Sequence, residues 1–233
     1  MTEVGRVAAL WRYPVKSMGA EPLEEIEVSW HGFAGDRRWA FVRAGLERSG
    51  FPWLTIRERS NMGHYLPSFV DPSRPDASRS VVCTPAGDEL EVVDPALATE
   101  LGEGVRVIKQ DRGVFDAMPL SLVSSQTVAA LGTLVGSELD PLRFRPNLLI
   151  EATEPFEEET WVGSVLQVGG MRMRVDQQDK RCVIVTVDPL TSERNPAILR
   201  TLAQERDTRV GVYGSTVSPG RVAVGDPVVL EAG

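Results

Sequence analysis

The chain has 233 residues, of which 42% are hydrophobic and 25% charged, values that are ordinary for a globular protein with a substantial core. Its net charge of −8 argues against a nucleic-acid partner. No N-terminal stretch resembles a signal peptide, no apolar run approaches membrane-spanning length, and two cysteines make no disulfide framework. We therefore expect a cytoplasmic location and no membrane partner.

Short β-type runs separated by glycine and proline dominate the chain, which predicts a mainly β fold of the barrel or sandwich class with a few helices. Helix-capping signals at Asp94, at Ser124 or Ser125, and at Asn195 predict three helices. A division near residue 115 separates two predicted domains, 1–115 and 116–233. The predicted strands are 7–11, 26–30, 39–42, 81–83, 90–93, 105–108, 120–123, 147–150, 165–168, 171–175, 183–187, 210–212, 222–224 and 228–230.

Cys182 is the residue with the clearest chemical potential. It follows Lys180 and Arg181 and precedes the apolar run 183–187, which we interpret as a strand. Neighbouring positive charge favours a thiolate over a thiol, and a thiolate is a soft metal ligand and a nucleophile. The alternative is a buried cysteine that acts as a small hydrophobic side chain.

Three further segments offer cations to an anionic ligand. Lys16 and Ser17 follow a β-type run in a loop whose free backbone N–H groups suit a phosphate. Arg37 lies in the tight, glycine-bounded loop 32–39, and Arg57 adds another cation. For each of them the alternative is a solvated surface side chain or a weak surface ion pair.

The segment 143–147 reads Arg-Phe-Arg-Pro-Asn. In an extended segment Arg143 and Arg145 share one face, and Asn147 offers both a donor and an acceptor. A binding face and a solvated strand face are equally compatible with this pattern. The acidic cluster 154–159 is interpreted as a solvated loop, with Trp161 beside it in the core. The two histidines lack the spacing of a zinc site.

Five segments in the same order resemble the MOSC superfamily, named after the C-terminal domain of molybdenum cofactor sulfurases. The match is similar to proteins that place a MOSC N-terminal β-barrel domain before the MOSC domain, as in the family of the mitochondrial amidoxime reducing component and bacterial YcbX. The segments are 13–17 (YPVKS), 35–39 (GDRRW), 144–147 (FRPN), 181–189 (RC and TVDP) and 224–228 (VGDPV).

The resemblance implies a MOSC β-barrel fold with an intertwined N-terminal β-barrel domain, and a molybdenum–molybdopterin cofactor (Moco). Its cysteine ligand to molybdenum, and thus the catalytic residue, falls on Cys182. Two positions depart from the family: Met118, where the pocket is lined by small polar residues, and Ser192, where a glycine is usual. The residues expected to bind the cofactor are Lys16, Ser17, Arg37, Arg145, Asn147, Arg181 and Tyr213, with Arg57 as the further cation.

The resemblance favours an oxidoreductase that removes oxygen from N-hydroxylated small molecules at molybdenum. The chain has no nucleotide fingerprint and no cysteine series for an iron–sulfur cluster, so we expect a separate electron-donor protein, a reductase or a ferredoxin. Two alternatives remain. One is sulfur transfer through a Cys182 persulfide; the other is a carrier that binds the cofactor without turnover.

Overall fold

Seven strands close into a barrel within residues 1–231, the part of the chain that the computed structural model describes. Their order is β11-β10-β14-β13-β12-β16-β1, and a β1–β11 pairing closes the ring. The mainly β fold predicted from the sequence is confirmed. The strands are β1 Thr2–Arg12, β2 Glu21–Leu23, β3 Glu25–Ser29, β4 Gly32–Phe33, β5 Trp39–Val42, β6 Leu66–Phe69, β7 Ser80–Cys83, β8 Glu89–Glu91, β9 Arg106–Lys109, β10 Leu120–Ser124, β11 Leu148–Ala152, β12 Val165–Val168, β13 Met171–Lys180, β14 Arg209–Ser218, β15 Gly220–Ala223 and β16 Pro227–Leu230.

Alternating side chains fill the barrel and cover its outside. On β13, Met171, Met173 and Val175 are buried in the barrel core, whereas Arg172 and Arg174 between them are exposed. Successive side chains of a strand point to opposite faces, so this alternation fixes which face is inside and sets the register.

Three smaller sheets accompany the barrel: β15-β3-β4, β5-β9 and β6-β7-β8. A second hydrophobic core, including Phe41, Met62 and Leu97, lies under the β5-β9 and β6-β7-β8 sheets, whereas the β15-β3-β4 sheet packs on the barrel core through residues such as Val28 and Val222. Val187 from the second half of the sequence packs into the second core. The first-half sheets are therefore seated on the barrel by shared apolar contacts.

Within residues 1–231 the three helices are α1 (Pro95–Leu101), α2 (Ser125–Val135) and α3 (Pro196–Arg206). The predicted caps are confirmed, because the side chains of Asp94, Ser124 and Asn195 accept hydrogen bonds from the first-turn N–H groups. Helices α2 and α3 pack on a third core beside the barrel. Over the same residues, no helix is both long and apolar enough to cross a bilayer.

Strand pairing crosses the boundary predicted near residue 115. Strand β1 pairs with β11 and β16, and β3 pairs with β15. The two halves thus share hydrogen-bonded sheets, and the division into 1–115 and 116–233 stays a prediction whose last two residues, 232–233, lie outside the described part of the chain.

Two local predictions are wrong. The run 183–187 is not a strand: Val183–Thr186 is a 3₁₀ helix, with the N–H of Val185 bonded to the carbonyl of Cys182. The acidic cluster 154–159 is not wholly solvated, because Glu158 and Glu159 are buried. Trp161 is in the barrel core as predicted.

Candidate functional site

A cavity of about 330 Å³ opens where the two halves of the sequence meet. Cations from both halves surround it, together with the sulfur of Cys182. Of the nine residues predicted to form the site, eight line this cavity. The lining consists of Lys16, Ser17, Arg37, Arg57, Phe115, Asp116, Ala117, Met118, Ser121, Arg143, Phe144, Arg145, Gln177, Gln178, Lys180, Arg181, Cys182, Ile184, Val185 and Tyr213.

Cys182 caps the 3₁₀ helix that follows β13, so its side chain leaves the barrel at the end of a strand. The Nη2 atom of Arg57 donates to its Sγ at 3.3 Å. This cation comes from a residue 125 positions earlier in the chain. The Arg57 guanidinium thus places positive charge directly against the sulfur. Within residues 1–231, no three His, Cys, Asp or Glu side chains converge as a metal-binding group.

Arg181, which precedes Cys182 directly in the sequence, has other contacts. Arg181 donates through Nη1 to the carbonyl of Phe144 at 2.8 Å and through Nη2 to that of Val210 at 2.7 Å. It also pairs with the buried carboxylate of Asp179 at 2.7 Å. These contacts of Arg181 hold the end of β13 against the backbone at Phe144 and Val210. The cation that donates to the sulfur is Arg57, whereas the sequence pointed to Lys180 and Arg181.

Asp116 brings a negative charge into the cationic cavity. It forms an ion pair with Lys16 and lies 3.6 Å from Nη2 of Arg57. Burial lowers the pKa of Lys16, and Asp116 only partly opposes this. Burial alone would raise the pKa of Asp116, but Lys16 and then Arg57 hold it below its usual value. The carboxylate is thus ionised and partly neutralises two cations predicted to meet a cofactor.

Two arginines of the cavity wall stack on the same aromatic ring, that of Tyr13. The guanidinium carbons of Arg145 and Arg37 lie 4.3 and 4.6 Å from the ring centre of Tyr13. Burial raises the pKa of Tyr13 to about 12. Burial also lowers the pKa of Arg145 to about 10, and Arg37 acts in the same direction while Tyr13 opposes it. Both arginines remain charged at neutral pH, stacked on a neutral phenol.

Arg37 and Arg145 differ in their partners. Arg37 forms an ion pair with the buried Asp36 and donates to the carbonyl of Arg145 at 3.2 Å. Among residues 1–231, none accepts a hydrogen bond from the Arg145 guanidinium, and its Nη2 atom is buried without a partner. A buried donor without an acceptor costs about 1–3 kcal/mol, more when it is charged. The Arg145 guanidinium therefore has a donor available for an anionic ligand in the cavity.

The extended geometry predicted for 143–147 is wrong. Pro141–Phe144 is a 3₁₀ helix, and Arg145 follows in the left-handed region with φ 51°. Arg143 donates to the carbonyl of Val185 at 3.2 Å and pairs with Asp188 at 2.8 Å. Arg143 and Arg145 both line the cavity, but they reach it from a turn rather than from one strand face.

Asn147 is the predicted site residue that does not line the cavity. Its side-chain amide donates to Asp36 at 3.1 Å and to the carbonyl of Trp11 at 3.2 Å, and its oxygen accepts from Ser121 at 3.1 Å. Asp36 in turn pairs with Arg37. With these contacts Asn147 orients the Asp36 carboxylate that pairs with Arg37, and its side-chain oxygen also accepts a hydrogen bond from Nη1 of Arg37 at 3.4 Å.

Two more predicted residues lie in the cavity wall. Tyr213 projects from β14, and burial first, then the charge of Asp179, raise the pKa of its hydroxyl above its ordinary value. Ser17 has a positive φ of 67°. The N–H groups beside it, of Lys16 and Met18, are bonded to the carbonyls of Trp39 and Val15, so the predicted loop of free N–H groups is not formed there.

The sequence analysis missed several lining residues. Gln177 and Gln178 lie on β13, whose length was underestimated by five residues, and Asp116 had no local signal of a site. Met118 does line the cavity, in the position where the family has small polar residues. Ser192, which replaces the usual glycine, has a positive φ of 61°, the conformation that glycine adopts most easily.

Comparisons with known proteins agree with this architecture. The family model "MOSC domain" matches residues 109–229, just over half of the chain, and "MOSC N-terminal beta barrel domain" matches residues 4–64. The chain belongs to the MOSC domain family. The family resemblance drawn from five short segments is thereby confirmed.

Among the relatives is the human protein "Mitochondrial amidoxime-reducing component 1", 24% identical over 99% of this chain and 84% of its own length. A "Molybdenum cofactor sulfurase" of Drosophila yakuba is 28% identical over 86% of this chain but only 30% of its own length. The crystal structure of the YUAD protein from Bacillus subtilis has a TM-score of 0.56, with 12% identity, 97% of this chain and 95% of that one covered. The structural similarity shows the fold alone.

Proposed function

We propose that this member of the MOSC family binds a molybdenum–molybdopterin cofactor in the 330 Å³ cavity and reduces N-hydroxylated small molecules. The observation that carries the proposal is the Arg145 guanidinium, whose buried Nη2 atom has no acceptor within residues 1–231 while it faces a cavity that also holds the Cys182 sulfur. An anion and a soft metal in one ligand match these two groups.

The donor set of the cavity fits such a cofactor. Cys182 would hold the metal, since a thiolate is a suitable ligand for a soft or high-valent ion. Arg145, Arg37, Lys16 and Arg57 would hold the phosphate and the pterin by charge-assisted hydrogen bonds, which are shorter and about twice as strong as neutral ones. Asn147 would position Arg37, both by accepting from its guanidinium and through Asp36.

When bound, the cofactor supplies the two-electron redox chemistry that removes an oxygen atom from nitrogen. The residues of the chain supply the rest. Arg57 keeps positive charge at 3.3 Å from the sulfur of Cys182. Tyr13 keeps Arg37 and Arg145 aligned despite their mutual repulsion, since its ring face attracts both guanidinium groups.

Metal and pterin analysis tests the proposal directly. The protein would be purified after expression in a host that makes the cofactor, and we expect molybdenum and pterin in equal amounts, close to one per chain. A properly folded protein that carries neither would overturn the proposed function.

Electron supply gives a second test. We expect no turnover of N-hydroxylated substrates with NADH or NADPH alone, and turnover with a one-electron donor such as a reduced viologen dye or a separate reductase or ferredoxin. Coupling to a protein donor should depend on salt, because charges on a chain with net charge −8 are screened over about 8–10 Å at physiological ionic strength. Robust NADH-driven turnover by the isolated chain contradicts this arrangement.

Sulfur transfer is the second candidate, and the Arg57–Cys182 contact favours it as well. The Cys182 thiolate would attack the terminal sulfur of a persulfide on a cysteine desulfurase, breaking the donor's S–S bond and releasing the donor as a thiol. The resulting Cys182 persulfide would add one sulfur to the intact mass, and a reductant would remove it. No such adduct after incubation with the desulfurase and cysteine counts against this candidate.

A further inference from the structure

Arg57 lies between two acceptors in the cavity. Its Nη2 atom is 3.3 Å from the sulfur of Cys182 and 3.6 Å from Oδ2 of Asp116. A carboxylate is a strong acceptor for a guanidinium, because it can take two parallel charge-assisted N–H bonds, whereas a cysteine sulfur is a weak acceptor. The position of Arg57 on the sulfur therefore needs a cause outside this pair of acceptors.

Lys16 accounts for only part of this position. It forms an ion pair with Oδ1 of Asp116, which leaves Oδ2 as the oxygen that faces Arg57. The side chain of Asp116 is 39% exposed, so solvent rather than packed side chains surrounds much of it. The choice between the carboxylate and the sulfur is thus left to the groups that hold Arg57.

The ring of Phe51 is a third neighbour of this guanidinium. The ring centre lies 5.1 Å from Cζ of Arg57 and 5.9 Å from Nζ of Lys16. Both distances are within the range of about 6 Å over which a ring face attracts a cation. Phe51 does not belong to the cavity lining, so it acts on the site through these two cations.

The second terminal nitrogen of Arg57 gives the same indication. Its Nη1 atom is buried, and no atom of residues 1–231 accepts a hydrogen bond from it. A buried charged donor without an acceptor is destabilising, and an aromatic face is a weak acceptor for N–H groups. The ring of Phe51 offsets part of this destabilisation only while the guanidinium stays beside it.

Phe51 is itself held by its own loop. This loop follows β5, and a bridge between Val42 and Trp53 closes it. The carbonyl of Phe51 accepts a hydrogen bond from Nη2 of Arg43 at 3.1 Å, and its N–H donates to Oγ of Ser49 at 3.1 Å. These bonds fix the backbone from which the ring extends, so the ring offers Arg57 a fixed face.

We infer that Phe51 is a positioning residue that keeps Arg57 on the sulfur of Cys182 and away from Asp116. Positive charge then stays beside the sulfur and is not neutralised by the carboxylate. The inference rests on the proposed function, since Cys182 is the metal ligand proposed there, and it adds the residue that keeps charge beside that ligand. The position of Arg57 itself is a property of the chain without a cofactor.

Two alkylating reagents measure the charge beside the sulfur: iodoacetate, which is an anion, and iodoacetamide, which is neutral. Both attack the same form of the sulfur, so the ratio of their rate constants does not depend on how much of that form is present. Nearby positive charge raises the ratio. The rates would be measured on the full chain without cofactor, in a Cys83→Ser background that leaves Cys182 as the one thiol.

Phe51→Leu should lower the ratio of the iodoacetate rate to the iodoacetamide rate by about threefold or more, the effect of losing one cation–π contact. Phe51→Tyr keeps the ring and should keep the ratio. Phe156→Leu is a matched control that should leave the ratio unchanged, because Phe156 is also half-buried and stacks on Arg206 at 3.9 Å, outside the cavity. An unchanged ratio in Phe51→Leu would overturn the inference.

Competition with Asp116 gives a second arm of the test. In an Asp116→Asn background the competing charge is absent, so Phe51→Leu should lower the ratio less than it does when Asp116 is present. Comparing the two drops cancels the direct effect of the Asp116 charge on the anionic reagent. Drops of equal size in the two backgrounds would show that Phe51 does not decide between the sulfur and the carboxylate.

Fluorinated phenylalanines at position 51 keep the test valid if Phe51→Leu does not fold. Successive fluorine atoms weaken the attraction of the ring face for a cation at nearly unchanged shape, so the ratio should fall with each addition. A ratio that stays constant across the series contradicts the inference. Failure of the proposed function is distinguishable: alkylation of Cys182 in protein that carries molybdenum would refute the metal ligand, while the ratios are obtained without the cofactor.

Discussion

Glu158 and Arg145 are two charged side chains taken out of water, and they differ in what surrounds them. Glu158 is fully buried and accepts hydrogen bonds from the N–H and Oγ of Ser124 and from Oγ1 of Thr127, each at 3.1 Å. Arg145 has a buried Nη2 atom without an acceptor in residues 1–231. The charge of Glu158 is satisfied by its own chain, whereas the Arg145 guanidinium keeps a buried donor available to a ligand in the cavity.

The location of Glu158 explains its role. Ser124 caps α2, so the carboxylate lies at the N-terminal end of that helix, where unpaired N–H groups and the helix dipole favour negative charge. The same pair of oxygens therefore joins the 3₁₀ helix Glu157–Trp161 to α2 and to the barrel strand before it. If this difference holds, substitutions of Glu158 should reduce stability, and substitutions of the cavity residues should reduce cofactor binding or activity.

The largest effect is expected for Cys182→Ser, which removes the sulfur from the cavity. Dye-driven reduction should fall by about a hundredfold or more, because a hydroxyl is a poorer ligand for the metal than a thiolate. The urea midpoint should stay unchanged. Cys83→Ser is the control, since Cys83 is exposed at the end of β7 and should be silent. Equal losses in both variants contradict the assignment of the metal ligand.

On the structural side, Glu158→Ala should lower the free energy of unfolding by about 3 kcal/mol, because it leaves the N–H of Ser124 buried without an acceptor and removes the carboxylate from the Ser124 and Thr127 hydroxyls, which keep only their bond to each other. Urea unfolding measures this loss. Glu158→Gln keeps an acceptor and should lose less. Pterin occupancy per folded molecule should match the wild type in both variants, and a selective loss of pterin would show that the comparison is wrong.

Arg145→Ala should have the converse effect. Losing a charge-assisted contact to a phosphate weakens cofactor retention by about 1.5–3 kcal/mol, or roughly ten- to a hundredfold, while stability changes little. Arg143→Ala should mainly reduce stability, since Arg143 holds Asp188 and the carbonyl of Val185. Molybdenum and pterin would be measured in both variants after the same dialysis. A greater cofactor loss in Arg143→Ala would reverse the assignment.

The smallest effect concerns Asp116, whose charge is partly satisfied and partly exposed. Because Lys16 and Arg57 hold its pKa below the usual 3.8, its ionised form contributes stability above pH 3.8 that is lost as the pH falls through the depressed value. Asp116→Asn should thus have a slightly lower thermal midpoint than the wild type at pH 7, with the difference vanishing in acid. Solvent screening keeps this difference small. A difference that grows as the pH falls would refute the ion pair.

Much of the fold was predictable because its signals are local. The caps of α1, α2 and α3 follow from one polar side chain and the residues after it, and the barrel strands follow from alternation. The 3₁₀ helix before Arg145 carried such a signal too, since Asp140 caps it and Pro141 opens it. The prediction of an extended segment at Arg143 and Arg145 did not take the Asp140-Pro141 signal into account.

Most residues that line the cavity were predictable from the sequence, but the contacts between them were not. The apolar run 183–187 looks like a strand, yet Val185 and Val187 pack into two different cores from a 3₁₀ turn, which no local pattern distinguishes from a buried strand. The Arg57–Cys182 contact joins residues 125 positions apart, and Asp116 is an acid among cations. Only the folded chain brings such groups together.

Strand β1 has a consequence for how the protein is made. It is synthesised before both of its barrel partners, β11 at Leu148–Ala152 and β16 at Pro227–Leu230. Until both have been synthesised, β1 has unpaired edges, and the barrel that supports Cys182 stays open. Closure then depends on contacts between distant parts of the sequence, which slows folding. The nascent chain should therefore depend on chaperones until translation has passed residue 230.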